Sequence, residues 1–230
     1  MRSRFKHESR YRSVPGYQLR VRYAACVCGI GCETQILWHK EETIPAGTDL
    51  VVVAGGFSYG DYLRSGAIAK MSPIMKALKV YAENGGKVLG ICNGFQVLTE
   101  TGLLPGALKR NEGLHFISRH HHLKVVSNTN DFLRRCNVND VVNIPIAHHD
   151  GNFYIDAEGL KELYANEQVL LKYTDAKGNI DNPNGSVDSI AGICNKNKNV
   201  FGLMPHPERA MEALLGSDDG RAMLEGFIHA

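Results

Sequence analysis

The sequence predicts an α/β fold: a doubly wound, mostly parallel sheet with helices on both faces. Two observations predict it. Short apolar runs alternate with helix-like segments through the first half of the chain, and three motifs rich in reactive or glycine residues each begin where an apolar run stops. Strand, crossover helix and parallel strand connect right-handedly and cover both faces of a sheet. Ligands then bind beyond the carboxyl ends of the strands.

Strands are expected at 34–38, 50–53, 87–91, 141–147, 169–173, 190–194 and 199–203. The clearest helix spans 73–83, with Ser72 as N-cap, Pro73 in the first turn and Gly85 and Gly86 closing it. Others are expected at 94–101, 157–165, 208–214 and 218–228. A chain of 230 residues with 43% apolar content builds one sizeable core. No run approaches the roughly 18 apolar residues of a membrane helix. Six cysteines, at 26, 28, 32, 92, 136 and 194, form no recognisable disulfide framework. The chain is therefore expected to be soluble and cytoplasmic.

Cys92 is the most informative residue. It is centred in Gly90-Ile91-Cys92-Asn93-Gly94, between the strand-like Lys87-Val88-Leu89 and a helix-like run. A nucleophile elbow has that layout: small neighbours permit a tight strand-to-helix turn, and the positive helix end favours a thiolate. Alone, the pattern also fits a small buried side chain. A second cluster, Met204-Pro205-His206-Pro207-Glu208-Arg209, follows the strand-like run 200–203. Pro207 biases His206 toward extended backbone, where residues two apart project to one side, so His206 and Glu208 are expected to point together. An imidazole base with a carboxylate to orient it is what a cysteine nucleophile needs. Thirdly, Leu50-Val51-Val52-Val53 runs into Ala54-Gly55-Gly56-Phe57-Ser58-Tyr59-Gly60-Asp61-Tyr62. Glycines past a strand end leave backbone N–H groups open to a substrate oxyanion.

These motifs resemble the triad-type (class I) glutamine amidotransferases, with their flavodoxin-like sheet, and among them the family of glutaminase subunits of phosphoribosylformylglycinamidine synthase. The similarity is carried by Gly-Gly-Phe-Ser-Tyr-Gly-Asp-Tyr-Leu-Arg at 55–64, Gly-Ile-Cys-Asn-Gly-Phe-Gln at 90–96 and Gly-Leu-Leu-Pro-Gly-Ala-Leu at 102–108. Ile144-Pro145-Ile146-Ala147-His148, Asn182-Pro183-Asn184-Gly185-Ser186 and the 204–209 cluster continue it in order, so that it runs from about 34 to 220. The resemblance implies that Cys92 attacks the glutamine side-chain amide, with His206 and Glu208 completing a triad. It implies an oxyanion hole from the amides of Gly56 and Asn93, and substrate contacts from Gln96, Gly55 and His148 in the 147–151 loop. Ammonia would pass to a separate synthetase subunit, where ATP and magnesium are expected; this subunit would need no cofactor. A small accessory subunit would complete the complex in purine (IMP) biosynthesis, with neither nucleic acid nor membrane as partner.

The amino terminus departs from that pattern. Residues 1–22 hold seven Lys or Arg against one acidic residue, a local net of +6, which leaves −4 for the rest of a chain of net +2. We divide the chain into this basic segment, 1–22, and an amidotransferase domain, 23–230. The family opens with an apolar strand and a Pro-Gly turn. Val14-Pro15-Gly16 matches the turn, but 5–13 is too polar for a buried strand. The first strand is thus expected to be missing or replaced, and the segment to be a disordered tail or misassigned start, ahead of a transit peptide or nucleic-acid arm. Two alternative functions follow: a non-catalytic or impaired subunit, or a stand-alone gamma-glutamyl hydrolase. Neither Cys26-Val27-Cys28-Gly29-Ile30-Gly31-Cys32 nor His120-His121-His122 is read as a metal site: the first lacks a fourth ligand at zinc spacing, and the second alternates faces of a strand.

Overall fold

The computed structural model describes residues 10–14, 20–56 and 65–227. Residues 57–64 of the glycine-rich motif, the Pro15-Gly16 turn and residues 1–9 lie outside them.

The central sheet has nine strands: β1 (Arg10–Val14), β2 (Glu33–Ile36), β3 (Leu50–Val53), β4 (Lys87–Ile91), β6 (Ile117–Val125), β7 (Val141–His148), β9 (Val169–Thr174), β10 (Ile190–Cys194) and β11 (Val200–Leu203). Two short strands, β5 (Ala107–Lys109) and β8 (Asn152–Tyr154), pair separately. The order in the large sheet is β2-β1-β3-β4-β11-β10-β9-β6-β7. Its first five strands run parallel. The remainder is added antiparallel. The α/β class therefore stands as expected, with the parallel half carrying the strand ends of interest.

Helices α1 (Arg20–Gly29), α2 (Pro73–Glu83), α3 (Asn93–Glu100), α4 (Ala157–Ala165) and α5 (Asp219–Glu225) accompany the sheet. In α2, Ile74, Met75, Leu78 and Ala82 are buried, the spacing of one helical face. Ser72 holds the N-cap position as expected, but its hydroxyl donates to Ala69 O at 2.9 Å, closing the preceding 3-10 turn instead. Asp156 does cap α4, accepting from Gly159 N at 2.7 Å. The strands of the parallel half are apolar without alternation because both faces are covered: all four residues of β3 are buried. β7 alternates buried and half-buried residues, as a strand covered on one face does.

Three expectations need correction. The place beside β3 is not vacant: Arg10–Val14 pairs in parallel with both β3 and β2. Ladder hydrogen bonds come from the main chain, so a polar sequence can occupy an interior strand position. Helix α1 also runs across the 22/23 boundary suggested by composition. Finally, the helix expected at 208–214 is two short 3-10 turns, Pro207–Arg209 and Ala213–Leu215. The Ala210 carbonyl, which a continuous α-helix would commit to residue 214, accepts instead from Gly220 N at 2.8 Å.

Helix α3 packs against the end of β3 so closely that a Cβ on Gly94 would lie 1.8 Å from Val53 O. Val53 is opposite Gly90 in the β3–β4 ladder, so this contact also sets the elbow that holds Cys92. Gly94→Ala is expected to destabilise the chain by more than ~3 kcal/mol, because backbone must move to admit the methyl. Urea unfolding of the variant measures this.

Candidate active site

Cys92 occupies the step from β4 to α3 with φ 52 and ψ −109, a conformation that side-chain-bearing residues rarely adopt. Its backbone N–H donates to Leu203 O at 2.8 Å, so the ends of β4 and β11 are joined at the elbow. The residue is 9% exposed, at the N-terminus of α3. Its thiol donates to Ala147 O at 3.6 Å.

β11 delivers His206 and Glu208 to the same edge. His206 Nδ1 lies 2.7 Å from Glu208 Oε1, and the two residues are 1% and 2% exposed. The pairing was expected but its backbone was not: Pro207–Arg209 is a 3-10 turn that begins after His206, closed by Arg209 N donating to His206 O at 3.0 Å. The turn is anchored twice more. His206 N donates to Pro145 O at 2.8 Å, and Cys26 Sγ donates to Glu208 O at 3.1 Å.

Burial alone would push the His206 imidazole down, but Glu208 and Cys92 outweigh it and raise the ring to about 9. The site therefore favours imidazolium beside carboxylate. His206 Nε2 is buried and makes no geometrically complete hydrogen bond, while Cys92 bears on the ring electrostatically.

The other predicted residues gather at the same edge. Gly55 and Gly56 follow β3, Gly55 buried and Gly56 at φ 143, a left-handed value that favours glycine. Asn93 opens α3, and its side chain donates to Gln96 Oε1 at 2.8 Å. Gln96 in turn donates to Asp150 O at 2.7 Å, so it braces the 147–151 loop. His148 ends β7, buried, with burial and then the charge of His206 lowering its imidazole to about 4. The thiols of the 26–32 run go separate ways: Cys26 to Glu208, Cys28 to Thr34 Oγ1 at 3.2 Å, and Cys32 into the core. In the histidine run, His121 is buried between an exposed and a half-buried neighbour.

Sequence reasoning missed the residues that hold the 147–151 loop. Asn111 contacts His115, His148 and Gly151; Asn184 Nδ2 donates to Gly151 O at 2.8 Å; Ser65 Oγ donates to Asp150 Oδ2 at 2.9 Å. In sequence an Asn near glycine reads as turn chemistry. No local signal separates it from an Asn that braces a loop distant in the chain.

A family model, the CobB/CobQ-like glutamine amidotransferase domain, matches residues 24–222. The chain is 76% identical over 201 residues to the phosphoribosylformylglycinamidine synthase subunit PurQ of Sulfurimonas denitrificans, covering 87% of this chain and 90% of that one. It is 64% identical over 198 residues to the PurQ subunit of Wolinella succinogenes, covering 86% and 88%. The chain belongs to the PurQ family of glutamine amidotransferases. A solved structure described as PurLQS from Thermotoga maritima superposes with a TM-score of 0.86 at 36% identity, covering 96% of this chain and 98% of that one. A glutamine amidotransferase from the same organism shares the fold, with a TM-score of 0.65 at 15% identity and coverage of 97% and 100%. Like the expectation from sequence, the described residues of this PurQ family member include no helix long and apolar enough to cross a membrane.

The two imidazoles make opposite contributions to stability as pH changes. His206 is raised from 6.5 to about 9, so its contribution is complete below pH 6.5 and is lost as pH rises through about 9. His148 is lowered from 6.5 to about 4, so its contribution is complete above pH 6.5 and is lost as pH falls through about 4. Thermal melts from pH 4 to 9 are expected to show the Glu208→Gln penalty greatest at or below pH 6.5 and shrinking toward alkaline pH. A penalty constant across that range would contradict the charge pairing.

Proposed function

We propose that this chain hydrolyses glutamine to glutamate and ammonia as the glutaminase subunit of phosphoribosylformylglycinamidine synthase. Cys92 is the nucleophile, His206 the base and then the acid, and Glu208 fixes the imidazole tautomer and stabilises its charge. The observation that carries the reading is the Cys92 backbone at φ 52, hydrogen-bonded to Leu203 O on the strand that leads to the buried His206–Glu208 pair. A strained residue at a helix N-terminus beside a charged imidazole suits a thiolate nucleophile. PurQ relatives that match nearly their whole length to this chain support the assignment to that synthase.

The first half of the reaction follows from these groups. The Cys92 thiolate adds to the amide carbon of glutamine, and the oxyanion is received by the amides of Gly56 and Asn93. His206 passes its proton to the departing nitrogen, ammonia leaves, and a glutamyl thioester remains. Gln96, Gly55 and His148 line the substrate side. Ammonia then goes to the synthetase subunit, which binds ATP and magnesium; a solved assembly described as PurLQS supports a partner of this kind. Cys92 Sγ lies 3.6 Å from Ala147 O, and Cys92 also acts on the His206 ring through charge and hydrogen bonding.

Ammonium release from glutamine, measured with and without the synthetase, is the test. Activity is expected to depend on the partner and to fall by at least ~10³-fold in Cys92→Ala. Glu208→Gln should cost on the order of 10²-fold to 10⁴-fold in kcat through loss of the imidazolium's partner. Undiminished activity in Cys92→Ala would overturn the nucleophile. Silence in wild-type protein under both conditions would favour a non-catalytic subunit.

A further inference from the structure

A second buried imidazole stands close enough to the triad to feel its charge, and its surroundings determine where its proton is. Asn111 Nδ2 donates to two carbonyls, His115 O and His148 O, each at 3.0 Å. Those bonds identify the nitrogen and leave Oδ1 as an acceptor. Oδ1 receives the Gly151 N–H at 3.0 Å and lies 3.1 Å from His148 Nδ1. An amide oxygen only accepts, so Nδ1 is the nitrogen that carries the proton. In the neutral ring Nε2 then holds a lone pair. It is buried and has no hydrogen-bond partner among the described residues. Burial and the neighbouring His206 charge keep the ring neutral, with its imidazole lowered to about 4.

The fold goes to some length to hold this ring. A Cβ on Gly151 would lie 2.3 Å from His148 Nδ1, so only glycine lets the ring lie against the loop. The loop is fixed from outside by Asn111 N donating to His149 O at 2.8 Å and by Asn184 Nδ2 on Gly151 O. The preceding residue, Ala147, supplies the carbonyl that receives the Cys92 thiol. A buried acceptor is costly without a donor, and the described residues supply none.

Hydrolysis of a thioester calls for such a group. A water that attacks an acyl carbon gives one proton to the base, and its orientation is set only if the other proton is held. The holder must accept a hydrogen bond without taking the proton, or it would compete with the base. We propose that His148, fixed by Asn111 as the Nδ1–H tautomer, accepts through Nε2 a hydrogen bond from the water that hydrolyses the glutamyl thioester on Cys92. This rests on the triad reading above. The water oxygen forms the new C–O bond while one proton passes to His206. Collapse of the tetrahedral intermediate breaks the C–S bond and expels the Cys92 thiolate beside the imidazolium, restoring the starting pair. The second proton stays on the new carboxyl until glutamate leaves and ionises. Asn111 is a positioning residue acting through His148.

The test is rapid-quench intact-mass measurement of the chain with its synthetase, using glutamine as the probe. His148→Asn keeps a donor toward Asn111 and removes the Nε2 acceptor; His148→Gln returns an acceptor near that position. At saturating glutamine His148→Asn is expected to accumulate the glutamyl adduct on Cys92, because hydrolysis of the adduct slows more than its formation, and to lose roughly 10-fold to 100-fold in kcat. His148→Gln should recover part of that loss, and Asn111→Ala should accumulate the same adduct to a smaller degree. Should His148→Asn not fold, the Gln and Asn111 variants read the same step. Slow turnover without adduct, or turnover unchanged, would overturn the proposal. Full activity in Cys92→Ala would instead remove the triad on which it stands.

Discussion

The parallel pairing of β4 with β11 is the constraint on which the rest of the site depends. Its register sets Ile91 opposite Leu203, and the ladder ends in the Cys92 N–H bond to Leu203 O. Everything chemical then begins one step further on: Cys92 immediately, and His206 three residues past Leu203. A shift of one residue would turn every side chain of a strand to the other face and separate Cys92 from His206. Glycine at 94 makes the register possible by letting α3 descend onto Val53. Backbone strain at Cys92, of about 1–3 kcal/mol for such conformations, is tolerated because strands on both sides and the helix behind over-determine it.

The antiparallel half has a different task. In the order β11-β10-β9-β6-β7, three strands separate β11 from β7. Yet His206 N reaches Pro145 O, and Cys92 Sγ reaches Ala147 O, both on β7. The sheet must therefore curl so that its far edge returns over the elbow, as accumulated strand twist allows. The result is a site closed on one side by carbonyls of β7 and on the other by the strand ends of the parallel half. That enclosure explains why His206 and Glu208 are buried, and why their charges must compensate one another.

Legibility in the sequence followed the same division. β3, β4 and β10, and helices α2 and α4, match their expected bounds because continuous apolar runs and cap residues are local signals. Cys92, His206 and Glu208 were legible because their neighbours, Gly90, Gly94 and Pro207, are unusual in number and spacing. β1 was misread because its place is defined by main-chain pairing with β3, which side-chain polarity does not report. The pairing of His206 with Glu208 was anticipated through an extended segment, whereas a 3-10 turn achieves it. Asn111 was invisible because its meaning lies in the His148 carbonyl it meets, distant in sequence.

The residues that sequence did not disclose share a property: each satisfies or braces backbone in the loop after β7. Asn111 donates to His148 O and accepts from Gly151 N, and Asn184 donates to Gly151 O, beside the bond from Gln96, which the sequence did indicate, to Asp150 O. Such a density of side-chain to main-chain bonds on one short loop exceeds what holding a surface turn requires. Loops are ordinarily the least constrained part of a fold. Rigidity here has a chemical reason, since two imidazoles of opposite tendency lie in one low-dielectric space. His206 is held charged by Glu208 and Cys92, and His148 is held neutral by burial and by His206, with Asn111 fixing its tautomer. His148 keeps its neutral state partly because His206 keeps its charge, so the loop that carries His148 is coupled to the electrostatics of Cys92, His206 and Glu208.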